Sequence, residues 1–147
     1  MKILVAVDTT DAHDAAVAAR ELFPNGEHII ISAASIAPFV VTEPLGGGLM
    51  SSTPSLAALE VAEQEADSAI ESAREVLGDK PQSSVEIGDP GRVICEQAKA
   101  LGVDVIVVGR RSASWLSRLF DPSVSEYVIK HATCPVLVVN EHHASKK

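Results

Sequence analysis

The chain has 147 residues, 46% hydrophobic and 22% charged, a length at which one domain buries roughly 68% of its unfolded surface and needs neither disulfide nor metal to hold a core. Its 20 acids against 12 bases give a formal charge of -8, which excludes a general role in DNA or RNA binding through a basic surface. Two cysteines are too few for a disulfide framework, MKILVAVD lacks the apolar region of a secretory signal, and no apolar stretch approaches the ~20 residues that cross a bilayer, so the expectation is a cytoplasmic, reduced protein without a membrane span.

In chain order, residues 3–7 form a continuous apolar run that reads as a strand covered on both faces, and 12–23 carry helical spacing. A second such run lies at 28–31. Residues 54–77 make the strongest helix: Leu59, Ala62, Ala66, Ala69, Ala73 and Leu77 recur three or four apart with acids on the opposite side. Thr53 is placed to cap it, Pro54 to occupy its first turn and Gly78 to end it. A weaker strand at 84–87, a helix at 92–101, a strand at 103–108, a helix at 123–132 and a strand at 136–139 complete the pattern. Strand and helix therefore alternate throughout. Right-handed crossovers turn that order into an α/β fold, a doubly wound parallel sheet with helices on both faces. With no internal repeat or linker, the expectation is one domain over 1–140 and a polar, frayed tail at 141–147. The connection at 36–52, with Pro38, Pro44, Gly46-Gly47-Gly48 and Ser51-Ser52, is too long for a routine turn. It reads as a long flexible loop, either a lid or a disordered excursion.

In such sheets ligands sit beyond the carboxyl ends of strands, where the crossover direction reverses. The candidates are Asp8, residues 32–35, Asp89 and residues 109–112. Asp8 either accepts hydrogen bonds from a ribose or base or satisfies backbone donors at the turn into the first helix. Asp11, His13 and Asp14 suit a helix start, whose positive end favours carboxylates. Neither they nor His131, His142 and His143 show ligand spacing, so no metal site is expected. Asp89 and Pro90 suit the cap and first position of the third helix. Ser123-Val124-Ser125-Glu126 is a capping box whose amides and hydroxyl alternatively hold a phosphate. Residues 109–130 carry four bases (Arg110, Arg111, Arg118, Lys130) against two acids (Asp121, Glu126), a local balance of +2 that favours an anionic ligand. No Ser-His-Asp arrangement, nucleophile elbow, CxxC pair or Walker loop is present, so no catalytic residue is assigned.

The segments KILVAVDTT, GDPGRVICEQAKALGVDVIVVGRR and PSVSEYVIKHATCPVLVV, in this order and separation, resemble the universal stress protein family over nearly the whole chain. The resemblance implies a five-stranded Rossmann-like sheet of the adenine nucleotide alpha hydrolase-like type, in order 3-2-1-4-5, with Asp8 and Gly109 side by side. Family members that bind ATP carry Gly-x2-Gly-x9-Gly-Ser/Thr after strand four. Here Gly109 and Ser123 match, while Ser112 and Pro122 replace the second and third glycines. Ser112 puts a side chain where backbone approaches phosphate, Pro122 removes an amide donor, and Asp121 adds a negative charge. Arg110 and Arg111 are placed to supply charge in exchange. By resemblance, base and ribose contacts fall on Asp8 and Ala33, and phosphate contacts on Gly109, Ser123, Val124 and Ser125. The implied ligand is ATP or another adenine nucleotide, with Mg if it is a triphosphate.

The resemblance also implies a homodimer through the last strand, where Pro135, Val136, Leu137, Val138 and Val139 form an apolar edge that can pair across a twofold axis. Cys134 beside it reads as a small buried residue. The resulting expectation is a homodimeric stress-response binding and signalling module with a degenerate nucleotide pocket, weak or absent ATP binding, an unidentified protein partner and at most slow ATP hydrolysis. The alternative is a genuine ATP- or AMP-type binder in which Arg110 and Arg111 replace the missing glycines. A phosphoryl-accepting receiver lacks its lysine after strand five, where Asn140 and Glu141 stand. An adenylating enzyme lacks its glycine-rich loop after strand one, where Asp8-Thr9-Thr10-Asp11 stand.

Overall fold

The computed structural model describes residues 1–9, 11–34, 55–110 and 123–140, the side chains of Arg110 and Ser123 excepted. Among these residues the elements run β1 (Lys2–Ala6), α1 (Ala12–Leu22), β2 (Glu27–Ala34), α2 (Leu56–Leu77), β3 (Gln82–Ile87), α3 (Pro90–Leu101), β4 (Val105–Arg110), α4 (Ser123–His131) and β5 (Val136–Asn140). The strands form one parallel sheet in the order β3-β2-β1-β4-β5. The fold class expected from the residues and the order implied by the resemblance are both observed. The loop at 36–52, with its glycine run, and the tail at 141–147 lie outside the described residues.

A strand's side chains alternate faces, so a run that is apolar throughout must be covered on both sides. Ile3 and Val5 of β1 join Ile30, Val105 and Val107 in a layer closed by α1 and α2. Leu4 and Ala6 join Ile29, Ile31, Ile106 and Val108 in the layer closed by α3 and α4. The register keeps the sets apart: Leu4 lies opposite Ile29 and Ile106, and Val5 opposite Ile30 and Val107. A slip of one residue would turn every one of these side chains into the wrong layer.

Alanine sets the helix spacing on the first face. α1 buries Ala12, Ala15, Ala16, Ala18 and Ala19, and α2 buries Ala66, Ala69 and Ala73 around Ile70. Alanine costs a helix no side-chain entropy and lets two helices and a sheet approach closely. Gly78, at φ 83°, ends α2, and Asp89 caps α3 by accepting from the Arg92 amide at 3.1 Å with Pro90 in the first turn, both as expected.

The cap of α2 differs from expectation. Ser55, extended at φ -64° and ψ 150°, accepts from the Ala58 amide at 3.2 Å and fills the role given to Thr53. Serine is the better cap and stands three residues before the donor it serves. Thr53 and Pro54 lie outside the described residues. β2 also runs on past the apolar run at 28–31. Ser32, buried in that extension, donates its hydroxyl to the Val7 carbonyl at 2.9 Å, so a polar residue continues the strand without a lost hydrogen bond. β4 begins at 105 rather than 103, because Asp104 is used to tie the sheet's start. Its amide donates to the Lys2 carbonyl at 2.9 Å and its carboxylate accepts from the Lys2 amide at 2.7 Å. No helix among the described residues is long and apolar enough to cross a membrane.

Cys95 of α3 and Cys134, just before β5, are half-buried against the second layer. Burial pushes both thiols up, with Cys134 and Glu96 adding to the effect at Cys95 and Asp104 at Cys134. A raised thiol is less often the reactive thiolate, so iodoacetamide at pH 8 is expected to label both cysteines more slowly in the folded protein than in urea; equal rates would show unprotected thiols. Leu4→Ala, which empties a fully buried site between the central strands, is expected to cost about 2–5 kcal/mol. The measure is a lower urea midpoint at unchanged slope.

Candidate functional site

β1 has β2 on one side and β4 on the other, and the crossovers leave it toward opposite faces, so a crevice opens beyond the carboxyl ends of β1 and β4. Asp8 stands two residues past the end of β1. Its amide donates to Asp11 Oδ1 at 3.1 Å, and the Asp11 amide donates to Asp8 Oδ1 at 3.0 Å. Each carboxylate thereby holds the other residue's backbone, which fixes the four-residue turn into α1. Both are charge-assisted bonds, the stronger kind. The turn also carries a bond from the Ala12 amide to the Asp8 carbonyl at 3.1 Å.

The cleft above this turn has an apolar slot and a polar rim. Ile31 and Ala33 of β2, Val108 of β4, and Pro90 and Ile94 of α3 form the slot, beside Ala6 and Val7. Asp11, Gly109, Val124 and Ser125 close the other side. With its open mouth the cleft holds about 360 Å³ of space.

Three helices open here: α1 through Asp11, α3 through Pro90, and α4 through Val124 and Ser125. A helix N-terminus offers free amides and a partial positive charge. Asp11 and Asp89 stand as carboxylates at the first two, whereas α4 begins with Ser123 and carries Glu126 in its first turn.

Gly109 owes its identity to space. Its φ is not among the positive values, which belong to Gly78, Gly88 and Gly102. A Cβ at 109 would instead collide with the Asp11 carboxylate and stand 2.6 Å from Asp11 Cβ. The carboxylate rests directly on the strand.

Of the residues proposed from sequence, Ala33, Gly109, Val124 and Ser125 line the cleft, and Asp8 is bonded to a residue that does. Arg110 ends β4 opposite Asn140, and Ser123 opens α4. Arg111, Ser112, Asp121 and Pro122 lie outside the described residues. By sequence Asp11 is a helix-start acid, and it does stand at the N-cap of α1, but its carboxylate makes no cap bond there; it accepts from the Asp8 amide and lines the cleft. Pro90 and Ile94 were likewise read only as helix residues. Their place at the cleft follows from α3 starting beside β2, which spacing does not show. Val136, Leu137, Val138 and Val139 form the edge strand β5, paired with β4, and the Pro135 carbonyl accepts from the Ile106 amide at 3.0 Å. Among the described residues no group of three or more His, Cys, Asp or Glu side chains is placed to hold a metal.

A family model described as the universal stress protein family matches residues 1–140. Universal stress protein Sll1388 of Synechocystis sp. is 47% identical over 55 residues, 37% of this chain and 36% of that protein. Against three curated relatives the chain spans between 33% and 54% of their length. Universal stress protein UspA from Lactobacillus plantarum is similar in fold at a TM-score of 0.61 and 26% identity, over 95% of this chain and 97% of that one. The universal stress protein from Archaeoglobus fulgidus, solved in complex with dAMP, is similar at a TM-score of 0.60 and 21% identity, over 95% and 97%.

The contact between Asp11 and Gly109 is testable by a double-mutant cycle. Gly109→Ala is expected to cost about 1–3 kcal/mol through overpacking. In Asp11→Gly the same change should cost little, a coupling of about 1 kcal/mol or more read from urea unfolding. Additive costs would show that the two residues do not touch.

Proposed function

The chain belongs to the universal stress protein family, and from that membership we propose that it is a cytoplasmic, non-catalytic binding module. It takes an adenine nucleotide in the cleft between β1 and β4 and passes the occupancy on to a partner protein in the stress response. The observation that carries this reading is the convergence of Ala33, Gly109, Val124 and Ser125, from three separate elements, around one apolar slot, with Asp8 bonded to Asp11 of its wall. These are residues to which the resemblance assigns nucleotide contacts. The base lies on Ile31, Ala33 and Ile94, the ribose faces the Asp8 turn, and one phosphate reaches the amides of α4. That the similar Archaeoglobus fulgidus protein was solved with dAMP supports a ligand of that size.

A triphosphate suits the site less well. Ser112 and Pro122 replace two glycines of the ATP-binding pattern, which removes at least one amide donor. We therefore assign weak or absent ATP binding and a degenerate phosphate grip. The competing reading, a genuine ATP binder that uses Arg110 and Arg111 with Mg, draws on the extension of β4 to Arg110 at the edge of the crevice. An Arg110→Ala/Arg111→Ala variant separates the two. It should weaken ATP binding about tenfold or more if the arginines replace the glycines, and leave ATP binding nearly unchanged if they do not.

The same reading includes a homodimer in which two β5 edges pair antiparallel, because β5 has β4 on one side only and carries four apolar residues. Sedimentation equilibrium is expected to give twice the 15.4 kDa chain mass; a monomer at all concentrations would remove the dimer.

Calorimetric titration with AMP is expected to give a saturable response. Ala33→Phe, which fills the slot, should raise the Kd about tenfold or more with the circular dichroism unchanged. No heat from AMP up to millimolar concentration would overturn the nucleotide reading.

A further inference from the structure

The starts of α3 and α4 supply two walls of the cleft, Pro90 and Ile94 on one and Val124 and Ser125 on the other. Just behind those walls the two helices meet in a close contact. Gly91 follows Pro90 directly, and a Cβ built on it would stand 2.8 Å from Tyr127 Cδ1, 3.0 Å from its Cγ and 3.1 Å from its Cβ. The φ of Gly91 is not positive, so the glycine answers to the space of the ring and not to a turn. The ring in turn has little freedom to withdraw. His131 stacks on it with 4.0 Å between centroids and 19° between planes, and His131 Nδ1 lies 2.9 Å from the Tyr127 carbonyl.

We infer that Gly91 and Tyr127 are a positioning pair: by seating α3 directly on α4 they set the spacing of the Pro90 and Val124 walls, and with it the affinity of the cleft for its nucleotide. The inference rests on the nucleotide reading and adds to it what holds the two walls in place. Neither residue lines the cleft; each acts through neighbours within one helical turn. Ile94 stands three residues after Gly91 and Val124 three before Tyr127, and residues at that spacing share a helix face. Carbon atoms settle about 3.5–4.0 Å apart. A methyl group at 91 therefore has to move the ring or the helices by about 1 Å, which exceeds the roughly 0.5 Å within which a binding constellation must be held.

The test is calorimetric titration of the full chain with AMP, for the natural protein, Gly91→Ala, Tyr127→Ala, the two combined, and Gly26→Ala. Gly26→Ala is a control for overpacking as such. It drives a methyl group against the Ile3 side chain beside the start of β2, at the end of the sheet away from the cleft. Gly91→Ala is expected to raise the Kd about fivefold or more with the circular dichroism unchanged, and in the Tyr127→Ala background the same substitution should change the Kd by less than about twofold. Gly26→Ala should leave the Kd within about twofold whatever it costs in stability. A merely structural contact gives another result: Gly91→Ala lowers the urea midpoint but leaves the Kd within about twofold, or both overpacked variants weaken AMP alike. Either result overturns the inference and leaves the nucleotide reading standing, as does a loss of affinity that persists without the ring. If Gly91→Ala does not fold, Tyr127→Ala decides: it is expected to raise the Kd about threefold or more by freeing the two walls, and a Kd that does not rise overturns the inference. No heat from the natural protein up to millimolar AMP overturns the nucleotide reading and the inference together.

Discussion

Because β1 is hydrogen-bonded to β2 along one edge and to β4 along the other, it lies in the middle of the sheet with two faces left to cover, and its neighbours must bury the same alternating sets of side chains. This double pairing orders the rest of the molecule. Ile3 and Val5 require a helical layer on one face, Leu4 and Ala6 require another, and the alanines of α1 and α2 let the first layer close tightly. It also leaves the end of β1 with nowhere to go but across the top of the sheet. The turn that follows stands at the mouth of the crevice.

That turn is built on two acids, and its chemistry colours the site. Asp8 and Asp11 hold each other's amides, so a sharp exit from the strand is stabilised by side chains rather than by glycine. The consequence is a turn held by two carboxylates at the mouth of the crevice. Two of the three helix ends that open there have an aspartate in the capping position. The third, α4, begins with Ser123 and carries Glu126 in its first turn.

Gly109 shows how one residue admits two explanations that only geometry separates. Its position in the chain matches a glycine of the ATP-binding pattern, and that match alone suggests close approach of a phosphate. Its strand conformation needs no special dihedral freedom, and the space above its Cα is taken by the Asp11 carboxylate. Asp11 itself was visible in the sequence, yet only as an acid at a helix start. No spacing rule connects residue 11 with residue 109.

The sequence by itself determined the alternation of strand and helix, the two-faced burial of the strands, the caps at Asp89 and Gly78, and, through its long matching segments, the strand order. Those features depend on near neighbours or on a pattern carried by the whole chain. The tertiary structure decided where β2 and β4 begin and end, because Ser32 and Asp104 find their hydrogen-bond partners in β1 and the turn beyond it. It also moved the cap of α2 to Ser55, brought Pro90 and Ile94 to the cleft, and set a carboxylate over Gly109. Each of these rests on a contact between residues distant in the chain or on a choice between adjacent capping side chains, and such a choice is made by geometry that periodicity does not carry.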